Sequence, residues 1–227
     1  SHGVLTLSQA LENSCNPYMI NIAIKLGNVR FAQYEKMFGF GAKTGVDLPG
    51  EATGIMYDEN KITTIDAATN SFGQNVNVNM VQMAAAFSSL INGGNYYQPH
   101  VVKRIEKPSG EVVKTFDATL VKQTVTSSTS QYLKRYLKST VDAGLAMKAG
   151  VTGYSIGGKT GTAEKIPRSD HRWLISFIGF APVSNPKVIA MCIIDEPQGV
   201  YYGGTIAAPV IKELYENILP YLEISVD

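Results

Sequence analysis

The last third of the chain constrains the fold most. Three runs with strand character, 156–163, 173–181 and 187–195, are separated by short links and followed by a helical stretch over 205–221. Links this short allow neighbouring strands to pair only antiparallel, and the helix that follows must cover a face of their sheet. The expected class is α+β, an antiparallel sheet with its helices segregated from it.

The 227 residues suffice for a full core, and composition divides them into a mainly helical lobe (1–98), a β-hairpin with a helix (99–150), and the strands with their closing helix (151–227). A balance of 20 basic against 19 acidic residues gives no electrostatic case for a nucleic-acid partner or an anionic membrane surface. No apolar run approaches the ~20 residues that span a bilayer, and no signal-like segment opens the chain, which reads as soluble. Ser1-His2 is either native or the remainder of a cleaved tag. Cys15 and Cys192 are too few for a disulfide framework, and His2, His100 and His171 lack metal-ligand spacing, so neither metal nor cofactor is expected. Cys15 reads as a small, partly buried residue, and no histidine sits where it could assist a serine or cysteine nucleophile.

Along the chain, Thr6 and Gln9 form a capping-box pattern that starts a helix near Leu7. Asn16 before Pro17 reads as an N-cap with proline in the first helical turn, giving a second helix over 17–26 that stops at Gly27. Ser14-Cys15-Asn16 therefore lies at a helix-to-helix junction. A short helix over 29–38 precedes an ordered glycine- and proline-rich loop, FGFGAKTGVDLPGE. Helices are expected over 63–72 and 80–91, the latter capped by Asn79 and stopped by Gly93-Gly94. The segment 100–116 reads as a surface hairpin turning at Pro108-Ser109-Gly110, with a helix over 128–142 behind it.

Gly157-Gly158-Lys159-Thr160-Gly161-Thr162 opens the strand run. Lys159 offers a positive charge for a carboxylate. Thr160 and Thr162 are two apart and share a strand face, Gly161 between them permits close packing, and the Thr162 N–H lies where it could donate to an oxyanion. The tripeptide alone is weak, since Lys43-Thr44-Gly45 repeats it within a loop, where the plain reading is a turn with a solvated lysine. Only Lys159 follows a glycine pair and opens a strand. Ser14 and Asn16 alone read as helix-cap residues, a role compatible with facing a cleft.

Together with LTLSQALENSCNPYMINIAIKLG, SFGQNVNVNMVQMAAAFSSLINGG, GYSIGGKTGTAEK, RWLISFIGFAP and DEPQGVYYGGTIAAPVIKEL, these motifs make the chain resemble the C-terminal part of the transpeptidase domain of a class B penicillin-binding protein. The resemblance covers nearly the whole chain. It implies a partial β-lactamase-like fold from a serine D,D-transpeptidase that cross-links peptidoglycan stem peptides and is acylated by β-lactams. Carried over by position, Ser14 relays protons and Asn16 binds the substrate's peptide amide. Lys159 and Thr160 complete the proton network and anchor the carboxylate with Gly161 and Thr162, while the Thr162 N–H supplies half of the oxyanion hole.

The chain departs from the family pattern in two places. Gly73-Gln74-Asn75 and Val78-Asn79-Met80 stand where the family favours Gly-Gln-Gly and a Val-Thr-Pro-like helix entry. The Ser-x-x-Lys that carries the family's nucleophile is matched only by Ser184-Asn185-Pro186-Lys187, which reads as a hairpin turn rather than the start of a buried helix. The chain is therefore expected to begin downstream of its parent's nucleophile and to be inactive alone. The alternatives are a non-catalytic penicillin-binding-like sensor or scaffold and a serine β-lactamase, the latter disfavoured by the long helical segments. The resemblance further implies a parent anchored on the outer face of the bacterial cytoplasmic membrane. It also implies a bare sheet edge through which this chain would pair as a homo-oligomer.

Overall fold

The computed structural model describes residues 2–226. Three helices open it: α1 (Leu7–Glu12), α2 (Asn16–Leu26) and α3 (Asn28–Met37). Thr6 and Gln9 form the reciprocal capping box that their spacing predicts. After a long loop come α4 (Thr64–Asn70) and α5 (Met80–Ile91). Asn79 caps α5 through a second box with Gln82, whose buried amide also donates to the carbonyls of Ala42 (2.7 Å) and Thr53 (2.9 Å). One buried side chain thus starts a helix and ties down the loop before it. Gly94 ends this lobe at φ +97°, where any side chain would overlap the carbonyl of Val125.

β1 (Asn95–Tyr97) pairs antiparallel with β4 (Leu120–Gln123), and between them β2 (Arg104–Glu106) and β3 (Val112–Thr115) form the expected hairpin. The β1–β4 pair is a correction to the sequence reading, which had no strands there. Both strands are very short, and they find each other only because the hairpin returns the chain to Gly94. α6 (Ser127–Asp142) leads to the main sheet, β5 (Gly157–Glu164), β6 (Trp173–Ala181) and β7 (Val188–Asp195), antiparallel in that order. The single closing helix expected over 205–221 is two, α7 (Gly203–Ile206) and α8 (Ala208–Tyr221). Pro209 lies in the first turn of α8 and has no N–H to donate to the carbonyl of Thr205 four residues back, so the hydrogen-bond ladder is interrupted between the two helices.

β6 sorts the core by its period of two. Ile175 and Phe177 face one side and pack with Ile211, Tyr215 and Leu219 of α8. Ile178 and Phe180 face the other, against Phe87 and Ile91 of α5 and Leu137 of α6, with the Phe87 and Phe180 rings edge-on at 6.0 Å. The result is an α+β fold, and β5 lies at the margin of its sheet.

Candidate active site

The first wall of the site is the end of α1. Ser14 sits at φ +46°, in the left-handed region that helices normally give to glycine. Its N–H donates to Leu11 O (3.2 Å), and that of Cys15 to Ala10 O (2.9 Å), the paired bonds of a Schellman ending. The chain thereby reverses at Ser14 and turns its hydroxyl toward β5. Asn16 corrects the sequence reading: it is the first residue of α2, not its cap. Extended Cys15 takes the cap position, and its carbonyl accepts from Tyr18 and Met19. Asn16 is consequently exposed, with its amide uncommitted to the helix.

The second wall is β5. Lys159 Nζ donates to Ser14 Oγ across 145 positions of sequence, and also to Thr160 O (3.1 Å) and Thr160 Oγ1 (3.4 Å). Burial lowers its pKa from 10.5 to about 8. The ammonium is therefore poised to give up a proton in mildly alkaline solution, the property a proton relay needs. Behind the strand, a side chain at Gly161 would collide with Ser176 Oγ on β6, and one at Gly203 would come within 3.0 Å of Gly161 O. The Gly203-Gly204 pair is a part of the site's support that the sequence reading assigned no role. Its signal is two adjacent small residues where α7 meets the sheet.

The open edge of β5 can be followed residue by residue. With its amide oriented, as the neighbouring groups require, so that oxygen meets donor and nitrogen meets acceptor, Gln74 accepts from Glu164 N–H (3.0 Å) and donates to Glu164 O (3.3 Å), so the backbone of Glu164 faces away from β6. The β5–β6 register is unbroken, hence Thr162, Thr160 and Gly158 face the same way. Gly158 O is taken by Thr140 Oγ1 of α6 (2.5 Å) and Thr160 O by Lys159 Nζ. Among the described residues, Thr162 alone on this edge has neither backbone group engaged, and its side chain is exposed. Thr160 and Thr162 share a face of the strand, one half-buried and the other open.

α6 holds both walls. Ser139 Oγ donates to Glu12 Oε1 (2.5 Å) in the last turn of α1, while the next residue, Thr140, grips Gly158. Ser8 adds a second hydroxyl to Glu12 (2.8 Å), and the two hydroxyls hold that carboxyl below the usual glutamate range.

The remaining candidates lie elsewhere. Ser184 is in the turn between β6 and β7, exposed, its carbonyl accepting from Lys134 Nζ (3.0 Å). Lys43-Thr44-Gly45 is a loop wrapped around Glu51: the Thr44 N–H (2.7 Å) and hydroxyl (2.6 Å) donate to one carboxylate oxygen and the Gly45 N–H (3.1 Å) to the other. Neither adjoins the Ser14–Lys159 pair through any hydrogen bond among the described residues.

The chain resembles known proteins in sequence and in fold. The profile of the penicillin binding protein transpeptidase domain matches residues 1–216. The chain is 38% identical over 226 residues to stage V sporulation protein D of Bacillus subtilis, with 97% of this chain and 35% of that protein aligned. It is 33% identical to a probable peptidoglycan D,D-transpeptidase PenA of Neisseria flavescens, covering 82% of this chain and 45% of the relative. The chain thus spans less than half the length of these curated relatives. Among solved structures, an ampicillin complex of penicillin binding protein 3 from Mycobacterium tuberculosis superposes with a TM-score of 0.87 at 25% identity, over 98% of this chain and 52% of that one. The transpeptidase domain of Burkholderia pseudomallei penicillin-binding protein 3 gives 0.85 at 25% identity, over 98% and 66%. A profile match across nearly the whole chain, together with these relatives, places it in the family of penicillin-binding protein transpeptidase domains, in the class B branch.

Proposed function

We propose that this chain forms one side of the active site of a peptidoglycan D,D-transpeptidase. The observation that carries the reading is the hydrogen bond from Lys159 Nζ to Ser14 Oγ. It joins two motifs distant in sequence into one proton path and gives a desolvated lysine a hydrogen-bond partner. In this reading the attacking serine comes from a Ser-x-x-Lys segment outside the sequence described, and its proton passes to the leaving amine through Ser14 and Lys159. Lys159, Thr160 and Thr162 anchor the carboxylate of the stem peptide or of a β-lactam, with Gly161 leaving room for Ser176 behind them. Asn16, exposed beside Ser14, binds the substrate's peptide amide. The free Thr162 N–H donates to the tetrahedral oxyanion.

The parent protein acts on the outer face of the cytoplasmic membrane; no helix among the described residues is long and apolar enough to cross a bilayer. β7 leaves its outer edge unpaired by any strand among the described residues, so the isolated chain associates through it at high concentration, and a strictly monomeric scattering profile there would refute this.

Labelling with a fluorescent penicillin tests the assignment. The expected result is no denaturation-resistant adduct on this chain and a strong one on a polypeptide that also carries the upstream segment. An adduct on the chain itself would overturn it. The absence of a helix-starting Ser-x-x-Lys from the sequence also fits a second reading, a non-catalytic sensor or scaffold of wall precursors, which an unlabelled longer polypeptide would favour.

A further inference from the structure

Gln74 lies outside the three motifs, yet it touches the strand that carries one of them. Its loop is fixed independently of β5. The Gln74 N–H donates to Thr69 O (3.1 Å), and the buried Asn70 amide donates to Gln74 O (2.9 Å) and Asp66 O (3.2 Å). The side chain therefore arrives at Glu164 already placed. A primary amide presents its oxygen and one of its two N–H donors along the same edge, so it pairs with the N–H and C=O of Glu164 as a residue of an added strand would.

We propose that Gln74 is a specificity-determining stop that ends the ligand-binding edge of β5. On this edge Gly158 and Thr160 have their carbonyls engaged by Thr140 and Lys159, and Glu164 is filled by Gln74. A peptide entering with its carboxylate at Lys159 and running toward Glu164 can make a paired backbone contact at Thr162 and at no later residue. The parts of a longer stem peptide beyond that point leave the sheet for solvent. The consequence is selection by the terminal residues alone, indifferent to the length and composition of the rest. This ligand aspect rests on the carboxylate-anchoring reading above; the closure of the edge does not.

Amide hydrogen exchange measured by NMR on this chain, with Gln74→Ala and Gln74→Glu variants, tests the closure. The Glu164 amide is expected to be protected in the parent chain, to exchange roughly five- to tenfold faster in Gln74→Ala, as one lost hydrogen bond implies, and to stay protected in Gln74→Glu, which keeps the acceptor. Thr162 exchanges rapidly in all three proteins, and Lys159 and Gly161, which face β6, slowly in all three. Slow exchange at Thr162 in the parent chain, or Glu164 protection that ignores Gln74, sinks the proposal.

Binding of N-acetyl-D-alanyl-D-alanine and of a pentapeptide ending in the same two residues then tests the stop. Equal affinities, within about twofold, are expected for the parent chain, with a several-fold gain for the pentapeptide alone in Gln74→Ala. A pentapeptide preference already present in the parent chain, or equal changes for both ligands, overturns the stop. Binding of neither ligand to any of the proteins fails the carboxylate reading and the stop with it, while the exchange pattern still decides whether Gln74 closes the edge.

Discussion

The chain carries Lys-Thr-Gly twice, and the two copies do related chemistry with different partners. In the first, Thr44 and Gly45 direct a hydroxyl and two N–H groups at the carboxylate of Glu51, only a few residues away. In the second, Lys159-Thr160-Gly161 stands on an edge strand where Lys159 meets the hydroxyl of Ser14, and no carboxylate among the described residues bonds to it. A tripeptide suited to holding an anion is left open to a ligand, as proposed for the second copy, only where the fold withholds an internal one. The lysines differ accordingly: Lys43 is exposed in its loop, whereas burial brings the pKa of Lys159 down to about 8.

The comparison breaks most visibly at the lysines. In a polypeptide that includes the nucleophile segment, Lys159→Ala should slow penicillin acylation by roughly a thousandfold, the scale of losing both a proton relay and an electrostatic anchor, while Lys43→Ala leaves the rate within about twofold. Stopped-flow measurement with a chromogenic β-lactam checks both. The next largest effect is of pH. Affinity for N-acetyl-D-alanyl-D-alanine should fall by up to about tenfold per unit as pH rises above the lowered pKa of about 8. Over the same range stability should rise, because the native state sheds the Lys159 proton at about 8 while the unfolded chain keeps it to roughly 10.4, and Lys159→Met should flatten that rise.

At the first copy, Glu51→Ala should destabilise the fold by about 1–2 kcal/mol, since it strands the Thr44 and Gly45 donors, with no effect on acylation beyond that. Burial raises the Glu51 pKa, but the Thr44 and Gly45 donors outweigh it and hold the carboxyl below its ordinary value. Its stabilising contribution is therefore complete above the unfolded glutamate pKa and disappears as pH falls through the lowered one, so thermal melts of Glu51→Gln should lack that acid-side slope. The smallest effect runs the other way: Ser14→Gly should raise stability by about 0.5–1 kcal/mol by relieving the left-handed backbone, while removing the hydroxyl that accepts from Lys159 Nζ.

These contrasts mark how far the sequence can be read. The capping box at Thr6, the cap at Asn79 and the three strands of the sheet were legible because each rests on interactions a few residues apart or on a period of two. The motif residues Ser14, Asn16, Lys159 and Thr162 stood out through resemblance, but their geometry did not. A serine where a helix ending prefers glycine reads locally as a polar cap; only the structure shows the backbone strain and the lysine that it serves. The Gln74 amide reaches Glu164 through a contact between distant segments that no local pattern encodes, and the β1–β4 pair was hidden for the same reason.

The placement of Ser139 and Thr140 side by side on α6 has a further consequence for how this domain tolerates change. The separation between Ser14 and Lys159 is gauged by a single turn of one helix, gripping Glu12 with one residue and Gly158 with the next, and not by the long intervening stretch of chain. Lengthening or trimming the exposed hairpin of β2 and β3 should leave that gauge untouched, so the protein can vary its outer surface freely without resetting the distance between the Ser14 hydroxyl and the Lys159 ammonium.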